Sequence, residues 1–188
     1  MATTADLSRG AFMRFNGELV QVTEYEHRTP GNLRAFYQVK MRNVRNGKNL
    51  EHRFRSGESI EFVRVEVRGY QYLYLDGEML MCMDPENYEQ IPIDKALVGD
   101  AFKFLKEGMN LIISFEDGTQ PIMVEPPQSV ELEVTYTEPG LKGDTATNTL
   151  KPATLETGAE VRVPLFVNTG DKIKVDTRTG DYMERVKS

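Results

Sequence analysis

Tryptophan is absent from this 188-residue chain, cysteine occurs once (Cys82) and histidine twice (His27, His52). A lone cysteine excludes an internal disulfide and any zinc site built on cysteines. The two histidines are far apart, and neither accompanies a nucleophile motif. Of the two, His27 falls near the loop discussed below; His52 reads as packed or solvated. No run of about 20 apolar residues occurs, so no membrane span is expected. The opening residues, MATTADLSRG, lack the apolar core of a secretory signal. A phosphate-cradling glycine loop, a dinucleotide fingerprint and a hydrolase elbow are all missing. Carboxylates do cluster at Asp84, Glu86 and Glu89 and at Glu116-Asp117, but in turn-like contexts that favour solvated charge over a metal or acid–base site. These absences predict a cytoplasmic protein with no metal and no cofactor, and make an enzyme the least expected class.

Hydrophobic residues make up 39% of the chain, a globular proportion that argues against disorder. Glycine is spread along the whole length, and Phe, Tyr, Val and Ile are plentiful; together they favour many short strands. The net charge of −6 is unevenly placed. Residues 1–64 carry 11 Lys+Arg against 7 Asp+Glu, residues 65–128 carry 4 against 12, and residues 129–188 carry 8 against 10. A basic first third is suited to RNA phosphates and an acidic middle is not. On charge alone, fluctuation along the chain explains the pattern equally well.

Three blocks emerge. In residues 1–64, strands are expected at Leu19 to Tyr25, Ala35 to Arg42 and Asn49 to Arg55, with Asn46-Gly47 as a hairpin turn. That pattern predicts an SH3-like barrel. The second block, 65–128, opens with a strand at Phe62 to Val67, followed by a hairpin from Tyr70 to Met83 turning at Asp76-Gly77. Tyr70, Tyr72 and Tyr74 are expected on one face of it, as barrel packing or as a base-stacking stripe, and Met79, Met81 and Met83 on one face of the partner strand. A short helix is expected within Asp94 to Leu105, weakened by Gly99. Strands at Leu111 to Phe115 and Pro121 to Val124 complete an OB-fold. Proline in Glu125-Pro126-Pro127-Gln128 cannot continue a central strand, so a boundary is placed there. The third block, 129–188, is again strand-rich and reads as a second OB-fold, with no strict sequence repeat linking it to the second.

The segment KPATLETGAEVRVPLFVNTGDKIKVDTRTGDYMERV, residues 151–186, is the most distinctive stretch. Val161, Val163 and Leu165, then Ile173 and Val175, alternate between Thr-Gly turns. It resembles the C-terminal signature of bacterial elongation factor P. The likeness extends over essentially the whole chain, through YLYLDGEMLMCMDPENYEQIPI in the middle, EPGLKGDT at 138–145 and the opening Ala5 to Gly10. The resemblance implies an all-β protein of three small β-barrels in an elongated, tRNA-like arrangement: an N-terminal SH3-like (KOW) barrel followed by two OB-folds. It further implies a monomeric ribosome-binding factor, without membrane contact, seated between the peptidyl and exit sites. There it would position peptidyl-tRNA and stimulate bond formation at consecutive prolines. A paralogue of the family and a general single-strand RNA-binding module are the rival readings.

The family's working tip is a loop usually written Pro-Gly-Lys-Gly, whose Lys (or Arg) is often enzymatically extended. Here it reads Pro30-Gly31-Asn32-Leu33-Arg34 before Ala35-Phe36. Asn32 occupies the modified position and has neither an amine nor a guanidinium to extend, although its amide can hydrogen-bond RNA. Arg34 is the nearest charged alternative, and is the tip itself if the register is shifted by two. The expectation is a stiff unmodified loop, Pro30 fixing its own φ and Gly31 allowing a sharp turn. Arg28, Lys40, Arg42, Arg53 and Arg55 are the candidate phosphate contacts. By the same resemblance, Gly143, Asp144 and Thr145 approach exit-site mRNA; the alternative is that Asp144 caps its own turn.

Overall fold

A computed structural model describes residues 1–140 and 149–187, and they are almost entirely strand and turn. Among the described residues, fifteen strands form three five-stranded sheets. By contact density the chain divides into two compact units: Met1–Arg68 with Ile113–Met123, and Gly69–Ile112 with Val124–Ser188.

In the first unit, β1 (Phe12–Phe15), β2 (Glu18–Arg28), β3 (Phe36–Asn43) and β4 (Asn49–Arg55) run as an antiparallel meander, and β5 (Glu61–Val63) returns to the free side of β1. Alternation along β3 sends Val39 and Met41 inward and Lys40 and Arg42 outward. Met13, Val20, Val22, Phe54, Ile60 and Leu7 complete the core. Residues 61–63 therefore belong to the first sheet, although Phe62 to Val67 reads in sequence as one opening strand of the second. The Asn46-Gly47 turn also differs from expectation. Arg42 pairs with Asn49, and the Asn43 N–H donates to the Lys48 carbonyl. The connection is thus longer than two residues, and it is braced by the buried Asn43 side chain, whose Oδ1 accepts from the Arg45 and Asn46 amides.

The second sheet comprises β6 (Val65–Asp76), β7 (Met79–Met83), β8 (Gln90–Asp94), β9 (Asn110–Glu116) and β10 (Gln120–Glu125), in the order β10-β9-β6-β7-β8. The third comprises β11 (Ser129–Thr137), β12 (Leu150–Leu155), β13 (Glu160–Pro164), β14 (Lys172–Asp176) and β15 (Tyr182–Arg185), in the order β13-β12-β11-β14-β15. Counted from its own first strand, each of these two sheets pairs strand one with strands two and four, then two with three and four with five. The second and third blocks therefore share one topology without sharing a sequence repeat.

Three details of the second sheet depart from the sequence reading. Pairing of Asp76 with Met79 makes Gly77-Glu78 the two-residue turn, one step later than expected, with Gly77 at φ +60° in the first central position. A register shift between Tyr72 and Tyr74 breaks the tyrosine stripe: Tyr70 and Tyr72 are buried, whereas Tyr74 is exposed. Between β8 and β9 the expected single helix is two 3-10 segments, Lys95–Leu97 and Gly99–Phe104, which break at Val98, with Gly99 opening the second at a φ of +71° that an unbroken right-handed helix does not use. Met79, Met81 and Met83 do share a face, with buried Leu80 and Cys82 on the other. Among the described residues, no helix is long and apolar enough to cross a membrane.

Candidate nucleic-acid interface

The tip is the connection between β2 and β3. Beyond a register shift at Val22/Glu24 these strands pair out to Arg28 and Phe36, and β4 pairs alongside β3 to the same level, so the loop stands on a three-stranded stalk. Within it, the Leu33 N–H donates to the Pro30 carbonyl at 3.1 Å, closing a turn with Gly31 and Asn32 in its central positions. Pro30 thus stands at the corner's entry, and Gly31 keeps a negative φ, so the turn does not use glycine's left-handed freedom. Asn32, Leu33 and Arg34 are exposed, Leu33 at 75%.

Cross-strand partners point to one face of a sheet. Phe36 pairs with Arg55 and Gln38 with Arg53 across β3–β4; Arg28 pairs with Phe36 and Glu26 with Gln38 across β2–β3. A groove of about 580 Å³ opens on this face, lined by Leu33, Arg34, Ala35, Phe36, Arg53, Arg55 and Ser56. The Arg53 guanidinium lies 4.2 Å from the centre of the Phe36 ring. This cation–π contact fixes the guanidinium without neutralising it. Among the described residues, Arg34, Arg53 and Arg55 form no ion pair. Three guanidinium groups converging outside any ion pair make a concave site suited to phosphate.

The other expected contacts are placed differently. Arg28 is bound by Glu26 at 2.9 Å and Lys40 by Glu24 at 3.1 Å. Those hydrogen bonds, with the carboxylate charges, raise both basic groups above their ordinary values, so each stays charged but already partnered. Arg42 is further from the tip, beside Gly47 and along a second groove that includes Lys40 and Glu51. Composition counts cations but hides such pairing: Glu24, Glu26 and Glu51 share the basic face through their registers with Lys40 and Gln38. Phe36, the floor beneath Arg53, is another feature the sequence reading passed over; its signal is its place in the outward series with Gln38, Lys40 and Arg42. Gly143, Asp144 and Thr145 lie outside the described residues.

Elsewhere the titratable groups have structural surroundings. His52 packs against Phe15 and Phe54, with ring centroids 5.0 and 4.6 Å away. Asp84 is buried, not solvated as its sequence context suggests, and its carboxylate accepts the Glu86 amide. Glu116 pairs with Arg14. Burial pushes the Cys82 thiol up to about 11, leaving little thiolate at neutral pH. Among the described residues, no group of three or more His, Cys, Asp or Glu is placed to hold a metal ion.

Three family models cover most of the chain: the elongation factor P KOW-like domain matches residues 3–60, the elongation factor P OB domain residues 65–124, and the elongation factor P C-terminal domain residues 130–185. Elongation factor P of Chloroherpeton thalassium is 52% identical over 187 residues, with both chains covered in full. The chain belongs to the elongation factor P family. Further elongation factor P relatives from Mycobacterium avium and Roseiflexus are 48% and 49% identical, again over the full length of both chains. Among solved structures, eukaryotic translation initiation factor 5A from Methanococcus jannaschii superposes with a TM-score of 0.54 at 17% identity, covering 66% of this chain and 91% of its own. That likeness supports the fold alone. Membership places the chain among translation elongation factors.

Proposed function

We propose that this chain binds the ribosome between the peptidyl and exit sites and speeds peptide bond formation at consecutive prolines by holding the peptidyl-tRNA in place. Domains 1–64, 65–128 and 129–188 divide the work, the first carrying the contact with the tRNA end. The observation that carries this reading is the groove at the tip. Arg34, Arg53 and Arg55 gather there, their guanidinium groups in no ion pair among the described residues, beside an exposed Asn32. Proline is a constrained secondary amine and fits attack geometry poorly. Fixing the ester it must attack is enough to help, since orientation alone contributes about 7–11 kcal/mol in favourable cases. Such a factor supplies neither acid nor base, so the chain is an accessory to the ribosome's own catalysis and not an enzyme. Its partners are the ribosome, peptidyl-tRNA and, through residues 143–145, exit-site mRNA, and it acts as a cytoplasmic monomer.

Asn32 acts unmodified in this scheme, its amide offered by a turn that the Pro30–Leu33 hydrogen bond closes. The test is reconstituted translation of a triple-proline message with and without the protein, then with Asn32→Ala and Arg34→Ala. Faster proline–proline bond formation with the intact chain, reduced by at least one substitution, is expected. No acceleration overturns the proposal, and tight binding to free RNA in its place points to a general RNA-binding module. Intact mass of protein from its own host should equal the bare polypeptide at the tip.

A further inference from the structure

The stalk that carries the tip has a second face. Beyond the register shift between Val22 and Glu24, His27 of β2 pairs with Tyr37 of β3, which pairs in turn with Phe54 of β4; Tyr25 pairs with Val39. These residues alternate with the arginine-bearing positions and so point to the opposite side. Closer to the barrel that side is core, with Val39 and Met41 fully buried. Towards the tip it emerges into solvent: Tyr37 is half-buried, Tyr25 is 39% exposed and His27 is exposed. The His27 ring lies flat on Tyr37, with centroids 4.3 Å apart and planes 8° from parallel, and Tyr25 follows Tyr37 at 6.5 Å and 33°.

We propose that Tyr25, His27 and Tyr37 form a stacking strip for nucleobases of single-stranded RNA. Three aromatic side chains at an exposed stalk end give ring faces on which any base can stack. Charge on the same stalk argues for this occupant. The guanidinium groups of Arg34, Arg53 and Arg55 on the reverse side form no ion pair among the described residues, so the tip attracts a polyanion whose bases need an apolar surface. Phosphates and bases are thus served by opposite faces of one three-stranded sheet end. This strip deepens the proposed function, since it rests on the tip meeting RNA.

The experiment uses the full chain and a short single-stranded RNA carrying 2-aminopurine, whose fluorescence is quenched when the base stacks. Quenching on the intact protein is expected. Affinity should fall about tenfold in His27→Ala combined with Tyr25→Leu, within the range that base–aromatic stacking supplies. A backbone-only oligomer of abasic residues should compete poorly. His27→Ala gives up its stack on Tyr37, so the unfolding midpoint should fall slightly, and the affinity is read well below both midpoints, where each protein is folded. Undiminished quenching in the double variant, or equal competition by the abasic oligomer, overturns the strip. The triple-proline assay reads the other proposal separately. Acceleration without quenching removes the strip and keeps the function, and quenching without acceleration does the reverse.

Discussion

Gly31 has no reason internal to the chain to be glycine. Its φ is not in the left-handed region, and a Cβ built there meets nothing within 4 Å. Glycine there is backbone freedom that folding does not use, and admitting the close approach of another molecule is the remaining physical role. Gly31→Ala is therefore expected to leave stability unchanged or to raise it by about 0.4–1 kcal/mol, because alanine narrows the unfolded ensemble. The same substitution should slow triple-proline translation, since the added methyl faces outward at the tip. Denaturant unfolding beside the translation assay checks both halves, and an alanine variant of full activity would show that nothing approaches Gly31 closely. Asn32 illustrates what was legible at this scale: its identity at the usual site of modification is readable from sequence, whereas its place at the turn's corner needed the Pro30–Leu33 hydrogen bond.

At the scale of elements, alternation located the strands well and pairing decided their details. The limits of β4 match the sequence reading at Asn49 and Arg55, because alternation there runs uninterrupted from the turn. Tyr74 does not match, because a bulge displaces side chains from one face to the other without altering composition or spacing. Glu24 and Glu26 were equally invisible as neutralising partners, since only the β2–β3 register sets them beside Lys40 and Gln38. The β3–β4 connection carries a test of its own. Asn43 is buried, accepts two loop amides through Oδ1 and donates through Nδ2 to Glu18. Asn43→Ala leaves those amides and the Glu18 carboxylate to find other partners, at a cost of about 1–3 kcal/mol. Urea unfolding should show a lower midpoint, and hydrogen exchange should rise first at Arg45 and Asn46. Stability equal to the unsubstituted chain would mean that water replaces Asn43 at no cost.

For the molecule as a whole, the sequence break at Pro126-Pro127 is real as an interruption of strand between β10 and β11, yet packing within the second unit passes across it. Phe104, from the 3-10 segment before β9, is buried in the cluster formed by Val130, Leu132, Val161, Ile173 and their neighbours. Composition cannot show this, because a phenylalanine near a helix end fits its local core equally well. Two residues on, Lys106 pairs with Glu156 at 2.9 Å, and the same carboxylate accepts the Glu133 N–H at 3.0 Å. That backbone hydrogen bond, reinforced by Lys106, holds Glu156 below its ordinary value of 4.5. A depressed folded-state value stabilises the fold above the unfolded one, so the contribution is complete above about pH 4.5 and disappears as pH falls through the lower folded value. Glu156→Gln keeps an acceptor for Glu133 and removes the charge. It should cost on the order of 1 kcal/mol at neutral pH, given that Lys106 is half exposed and screened. The gap between the two proteins should close as the solution is acidified. Unfolding midpoints measured across that range decide it: a constant gap would assign the loss to packing, and no gap at neutral pH would leave the Lys106–Glu156 pair without a role in joining these sheets.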